Sequence, residues 1–264
     1  HDAGTAYVAV KLHRMNNRDP FALKTSDYGR SWELLTASLP KSVHSYVHTI
    51  VEDPVREGLL FLGTENSLYV SFNDGEEWLS LQNNLPHAPV TWLEIQEHFG
   101  DLVVATYGRG FWILDDISPL RQLTDDIVAS EAHLFEPRAA YRFNGINQSV
   151  STRTPTTADG FNPPEGGAIN YYLRDVPRGD VTLTVRTTSG ELVRSFEGTK
   201  NTGFNRVYWD LRYGALDPVR LRTLPLGHPT DPAFVPPRLQ FNEEGWRSAG
   251  EVQLGPRVTP GTYS

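Results

Sequence analysis

Thr25-Ser26-Asp27-Tyr28-Gly29-Arg30-Ser31-Trp32 is matched further along the chain by Ser71-Phe72-Asn73-Asp74-Gly75-Glu76-Glu77-Trp78. Both octets read hydroxyl, any residue, Asp or Asn, any residue, Gly, two of any kind, Trp. Trp32 and Trp78 stand at the same spacing as Leu39-Pro40 and Leu85-Pro86, roughly 46 residues, and a fixed period of that order marks a repeat architecture. The octet has the chemistry of a tight turn. Hydroxyl and Asx side chains hydrogen-bond nearby backbone amides. Gly29 and Gly75 supply a positive-φ conformation that other residues adopt at a cost. Trp32 and Trp78 are expected to pack their rings on the blade and to offer their indole N–H to a partner. Asn73 keeps the acceptor oxygen of Asp27 and drops its charge, so the second turn should survive and a calcium site there is disfavoured.

Outward from the octets, short apolar segments recur in the same order. Ala6-Tyr7-Val8-Ala9-Val10 reads as a buried inner strand, with counterparts at 58–64 and 101–106. Each is followed by a second strand, at 21–24, 68–71 and 111–114, and the first two of these run into an octet. A third strand ends at Leu39-Pro40 or Leu85-Pro86. The next carries Tyr46, Val47, Ile50 and Val51, or Val90, Trp92, Leu93 and Ile95. Four short strands per repeat predict propeller blades. About two blades and a fraction are present, where a closed propeller needs at least about four. The remaining blades are therefore expected elsewhere, upstream in the same gene product or in another chain. The chain opens at His1 without Met, inside a repeat, so an upstream segment is expected.

The octets resemble the Asp-box, or BNR repeat, of sialidases, sortilin-type propellers and related glycosidases. In that family the motif is a hairpin turn on the outer edge of a blade. The resemblance therefore implies structural roles for Thr25, Asp27, Gly29, Trp32, Ser71, Asn73, Gly75 and Trp78, and turn staples rather than catalytic carboxylates at Asp27 and Asp74. It also implies an exported, extracellular, periplasmic or cell-surface protein of bacterial type.

Beyond the repeats, 121–132 reads as a polar linker or short helix, with Asp125-Asp126 suited to a helix start. Residues 133–264 read as a second β domain. Strands are expected at 133–135, 168–173, 180–185, 191–196 and 203–210, with long loops over 143–162 and the Pro-rich 215–258. Thr187 to Arg194, Asn205-Arg206-Val207-Tyr208-Trp209-Asp210 and the late Pro260-Gly261-Thr262-Tyr263 resemble the Ig-like domain of the flagellar hook-capping protein and sorting modules of secreted bacterial proteins. In those domains the last motif opens a final strand, so a continuation past Ser264 is expected. The fold class is all-β: a partial β-propeller over 1–120, then an Ig-like β-sandwich over 133–264.

Composition narrows the function. The 264 residues carry a formal net charge of −8 with no basic stripe, which disfavours nucleic acid and anionic membranes. With no cysteine there is no disulfide framework and no thiolate metal site. No apolar run reaches the length of a membrane span. No metal and no cofactor are expected. His44 and His48 are four apart but do not share a helical face, which disfavours a metal pair.

The candidate binding residues are Tyr107, Arg109, Trp112 and Asp115. They lie in Thr106-Tyr107-Gly108-Arg109-Gly110-Phe111-Trp112-Ile113-Leu114-Asp115-Asp116, which resembles a segment common to bacterial BNR-repeat proteins. Two glycines flank Arg109, so it either contacts an anion at the propeller mouth or pairs with Asp115 or Asp116 to close the last blade. The pair is the expectation carried forward. Two functions follow: a non-catalytic scaffold or binding module engaging protein or glycan through a propeller face, or a sialidase- or xyloglucanase-like glycoside hydrolase. The hydrolase would hold its carboxylates mainly in blades outside this chain. Glu52, Asp53, Glu65, Glu94, Asp115 and Asp116 are available acids, but the sequence sets no two of them across one sugar, and Asp53-Pro54 is more simply a turn.

Overall fold

The computed structural model describes residues 1–142, 163–214 and 255–264, together with the backbone of 239–242 and 245–248. The chain divides into two units, His1–Asp125 and Asp126–Ser264. The described strands pair antiparallel, and helix is confined to short turns.

The first unit is built of three successive meanders. β1 (Ala6–Val10), β2 (Phe21–Thr25) and β3 (Glu33–Leu34) form one sheet. β4 (Val47–Glu52), β5 (Leu60–Thr64), β6 (Leu68–Ser71) and β7 (Leu79–Ser80) form the next. β8 (Val90–Gln96), β9 (Asp101–Thr106) and β10 (Phe111–Leu114) form the third. The sheets stack in chain order because side chains alternate across each strand. On one face of the middle sheet Ile50, Leu62 and Tyr69 pack with Ala9 and Ala22 of the first. On the other, Val51, Phe61 and Val70 pack with Leu93, Ile95, Leu102 and Val104 of the third. β5 is thus buried along its whole length, which is why it reads as an apolar run without alternation. Meanders stacked face to face in this way make a partial β-propeller.

β1 departs from its expected burial. It lies at the edge of its sheet, paired with β2, and Val8 is 38% exposed. Its apolar composition says that it fits a pleated surface; burial depends on what covers that surface. The two end faces of the stack are apolar and uncovered within the unit: Val8 and Leu34 on the first sheet, Trp92, Phe111 and Ile113 on the third.

After β10, helix α1 (Ser118–Gln122) buries Pro119 and Leu120. It is pinned by a buried ion pair. Asp53 is fully buried, accepts from the backbone N–H of Val55 and Arg56 at 2.8 and 2.7 Å, and meets Arg121 Nη2 at 2.9 Å through Oδ2. The Asp53-Pro54 step is the turn that its sequence suggests, and its carboxylate ties the β4–β5 connection to α1. Helix α2 (Asp125–Ala129) starts at the acidic pair.

In the second unit, β11 (Ala132–Leu134) and β12 (Gly167–Leu173) belong to a three-stranded sheet, and β13 (Thr182–Arg186) and β14 (Leu192–Glu197) form a hairpin. β15 (Gly203–Trp209) completes the three-stranded sheet beside β12. Val185, Val193, Trp209 and Val258 form a core, with Tyr263 edge-on to Trp209 at 5.3 Å. Tyr263 makes a single bridge to Thr187. The Pro-rich stretch is not loop throughout: β16 (Leu239–Asn242) pairs with β17 (Gly245–Ser248). The remainder of 215–254 and all of 143–162 lie outside the described residues.

Candidate functional site

The two octets fold alike. Thr25 Oγ1 accepts from Gly29 N–H at 2.9 Å, and Ser71 Oγ accepts from Gly75 N–H at 2.9 Å. Asp27 Oδ1 accepts from the amides of Arg30 and Ser31 at 2.8 and 2.9 Å; Asn73 Oδ1 accepts from Glu77 N–H at 3.0 Å. Gly29 and Gly75 have φ of 83° and 89°, and the preceding Tyr28 and Asp74 share the left-handed region at 61° and 58°. The hydroxyl and amide of Ser31, with Thr25 and Arg30, hold the Asp27 carboxyl down to about 2. Asp74 accepts from Tyr7 O–H at 2.8 Å and pairs with Lys24, so it fastens the second octet to the first sheet.

The tryptophans differ. Trp78 is half-buried and donates to the Leu35 carbonyl of the neighbouring meander at 2.9 Å. Trp32 is 45% exposed and donates only to Gly29 O within its own turn, at 3.2 Å. The expectation that both rings pack fails for Trp32, whose only hydrogen bond among the described residues stays within its own turn.

A more varied surface lies where β5 turns into β6 and β9 into β10. In the middle sheet, Thr64 closes a short turn: its N–H and hydroxyl both donate to Ser67 O, at 2.9 and 3.0 Å. Glu65 at the tip accepts from His48 Nε2 at 2.7 Å, with the Tyr46 hydroxyl nearby. His48 reaches Glu65 because a register shift in β4 between Val47 and Thr49 makes it the extra residue of a bulge, and bulges re-aim side chains. Tyr46 also stacks on His13, with centroids 4.8 Å apart. Burial pushes the His48 imidazole below its ordinary range against the pull of Glu65. At Glu65 burial pushes upward, but His48 and the Tyr46 hydroxyl outweigh it and the carboxyl lies low. A cavity of about 70 Å³ adjoins this turn, lined by His44, Ser45, Thr64, Asn66 and Tyr69 among others.

The third sheet repeats the turn with one more residue. Thr106 N–H and hydroxyl donate to Gly110 O at 3.1 and 2.7 Å, and Tyr107 N–H donates to Pro89 O at 2.9 Å. Gly108 and Gly110 have φ of 83° and 73°, and open space surrounds both, so the loop is closed by backbone and presents Arg109 at its tip. Arg109 is exposed, Tyr107 beside it is 77% exposed, and Arg109 makes no ion pair among the described residues.

The expected pair with Asp115 or Asp116 is therefore absent. Asp116 is buried, with its N–H on Asp101 Oδ1 at 2.8 Å and its carboxylate accepting from Ser118 N–H at 3.2 Å; Asp115 is engaged elsewhere. Trp112 turns inward onto the core and donates to Arg109 O at 3.1 Å, so it buttresses the loop from behind. Of the four candidates the structure brings Tyr107 and Arg109 onto one exposed loop and sets Trp112 and Asp115 apart. The Tyr46–His48–Glu65 cluster was missed by sequence reading, since the bulge that joins it leaves no sequence signal.

Among the described residues no group of three or more His, Asp or Glu is placed to hold a metal, and no helix is long and apolar enough to cross a membrane. No protein-family model matches the chain, and no curated protein matches it. Among solved structures, the chain is similar to an ancestral GH74 enzyme at 16% identity and a TM-score of 0.32, over 41% of this chain and 12% of that one. It is also similar to YCF48 bound to D1 peptide at 22% identity and a TM-score of 0.26, over 36% of this chain and 29% of that one. The chain thus spans well under half the length of either.

Proposed function

We propose that the chain is a non-catalytic binding module that engages a protein or glycan through the turn-bearing end of its stacked sheets, with Arg109 and Tyr107 as the contact. The observation that carries this reading is the closed, glycine-flanked loop of the third sheet, whose guanidinium is exposed and makes no ion pair among the described residues. A rigid loop that holds a cation and an aromatic ring away from the protein suits an acidic group beside an apolar or sugar face. Further blades, in the same gene product or in another chain, are part of the reading. The uncovered apolar faces of the first and third sheets support them, because exposed patches of that kind mark surfaces that pack against something. Asp-box identity of the octets, an exported location and an Ig-like second domain belong to the same reading, on sequence resemblance.

The test is to screen the intact protein against glycan and peptide libraries and repeat the screen with Arg109→Ala. The reading expects a ligand whose binding is lost in a variant that stays folded. Binding that is indifferent to Arg109 and Tyr107 would overturn it. Release of products from a polysaccharide, seen by mass spectrometry, would replace it with the glycoside hydrolase reading.

A further inference from the structure

The sheets of the first unit differ in one place. Beyond β2 the first sheet adds β3, and beyond β6 the middle sheet adds β7, but β10, the counterpart of β2 and β6, ends the third sheet. β3 and β7 share their chemistry. Each follows the tryptophan of an octet and leads to a leucine: Trp32-Glu33-Leu34-Leu35 and Trp78-Leu79-Ser80-Leu81. The N–H of that leucine donates to the neighbouring strand, Leu35 to Ala22 O and Leu81 to Leu68 O, both at 2.9 Å. Leu35 is buried, and Leu81 packs on the core between the middle and third sheets.

β10 offers the same acceptor. Ala22 pairs with Ala9, Leu68 with Gly63 and Phe111 with Ala105, so the three stand in one register. Gly110 O accepts from Thr106 N–H on the β9 side. Main-chain groups alternate sides along a strand, so Trp112 and Leu114 turn theirs to β9, and Phe111 and Ile113 turn theirs outward. No described strand lies on that outer side. The side chains are open as well, Phe111 at 80% and Ile113 at 58% exposure. Proteins usually guard an edge strand with a charge, a proline or a bulge. Phe111-Trp112-Ile113-Leu114 has no charge and no proline, and its pairing with β9 runs without a register shift.

A second position matches. Trp78 Nε1 donates to Leu35 O of the first sheet at 2.9 Å. The corresponding carbonyl of the middle sheet is Leu81 O, which accepts no hydrogen bond among the described residues. A tryptophan carried beside β10, one sheet further on, meets Leu81 O as Trp78 meets Leu35 O.

We propose that the outer edge of β10 is a docking site for an extended segment of a partner protein that carries Trp and, three residues on, Leu. The segment adds to the third sheet as its fourth strand. Main-chain bonds to Phe111 and Ile113 supply affinity, and the two side chains supply specificity: the indole on Leu81 O and the leucine beside the Phe111 ring. The site is the edge of the sheet. It is separate from the contact at Arg109 and Tyr107, and from the open face of the sheet, where a further blade packs.

The probe is a fluorescein-labelled synthetic peptide of residues 76–84, which carries the β7 pattern. It is titrated with the full chain and followed by anisotropy. The expected result is saturable binding. N-methylation of the peptide at Leu81 removes the N–H directed at Phe111 O and should weaken binding about fivefold, as loss of one hydrogen bond does. Trp78→Ala in the peptide should weaken it at least as much. Ile113→Pro in the protein removes an outward N–H and spares the pairing with β9, since an edge strand tolerates proline on its open side; it should weaken binding similarly. The N-methylated peptide tests the edge on unaltered protein if that variant does not fold. No saturable binding at millimolar peptide overturns the proposal, and so does binding that N-methylation leaves unchanged. Self-association of the chain that the peptide reverses overturns it too, by assigning the edge to a second copy.

Discussion

The β5–β6 turn of the middle sheet and the β9–β10 turn of the third are the same device put to two uses. Each is closed by a threonine whose N–H and hydroxyl donate to one carbonyl, Thr64 to Ser67 and Thr106 to Gly110. In the middle sheet the charged residue at the tip, Glu65, is tied down by His48 and Tyr46. In the third, Arg109 is held out between two left-handed glycines. A shared backbone turn does not fix what its tip does; the neighbours of the tip decide. The middle sheet has a sheet on either side and spends its charged residues on holding them together. The third has one on a single side within this chain, and the tip of its turn makes no ion pair among the described residues.

If this contrast is sound, the largest effect belongs to a tie in the middle sheet. Arg121→Ala leaves Asp53 buried without its cation, and breaking a buried pair costs about 3–5 kcal/mol. Urea unfolding of the intact protein measures it; a loss below about 1 kcal/mol would mean that the ion pair contributes little to holding α1 on the β4–β5 connection.

A smaller effect separates the two sheets at equivalent positions. Gly63 and Ala105 occupy matching places in β5 and β9, each paired to the second strand of its turn, at Leu68 and Phe111. A Cβ on Gly63 would lie 2.5 Å from Val90 Cγ1 and 2.8 Å from Val90 O. Gly63→Ala should therefore cost about 1–3 kcal/mol by overpacking. Ala105→Gly faces no covering sheet and should cost about 0.5–1 kcal/mol, the usual penalty for glycine in a strand. Equal costs would show that the third sheet is covered much as the middle one is.

How much of this was legible in the sequence follows from the range of the interactions. The octets were readable because every bond that makes them spans at most five residues, from Thr25 to Gly29 or Ser71 to Gly75. Strand positions were readable for the same reason. The burial of Trp78 against Leu35 and the exposure of Trp32 were not, because identical local sequence meets different neighbours. Arg109 illustrates the same limit: acids six and seven residues away made a pair plausible, but β10 runs between them and carries Asp116 into the fold. The bridge between Arg212 and Arg257 joins segments far apart in the chain, which no local pattern predicts.

The His48–Glu65 pair gives a pH signature that the third sheet lacks. His48 is held below its unfolded value of about 6.5. Its contribution is intact above that pH, and stability falls as pH drops from there toward the folded value, because the unfolded chain binds the extra proton. The slope is at most about 1.4 kcal/mol per pH unit. Glu65 is lowered as well, so its contribution is present above about pH 4.5 and is lost as pH falls further through the folded value. Unfolding midpoints from pH 7 to 5 should fall in the native protein and fall less in His48→Gln. Parallel curves would mean that the imidazole is as solvated folded as unfolded.

The smallest stability effect bears most directly on function. Arg109 is exposed and makes no ion pair among the described residues, so it does not close the last blade. Denaturant unfolding of Arg109→Ala in the intact protein measures this. The expected change lies within about 0.5 kcal/mol, the ordinary range for an exposed substitution. A loss of about 3–5 kcal/mol, the cost of stripping one partner from a buried pair, would contradict it and return Arg109 to the framework of the fold.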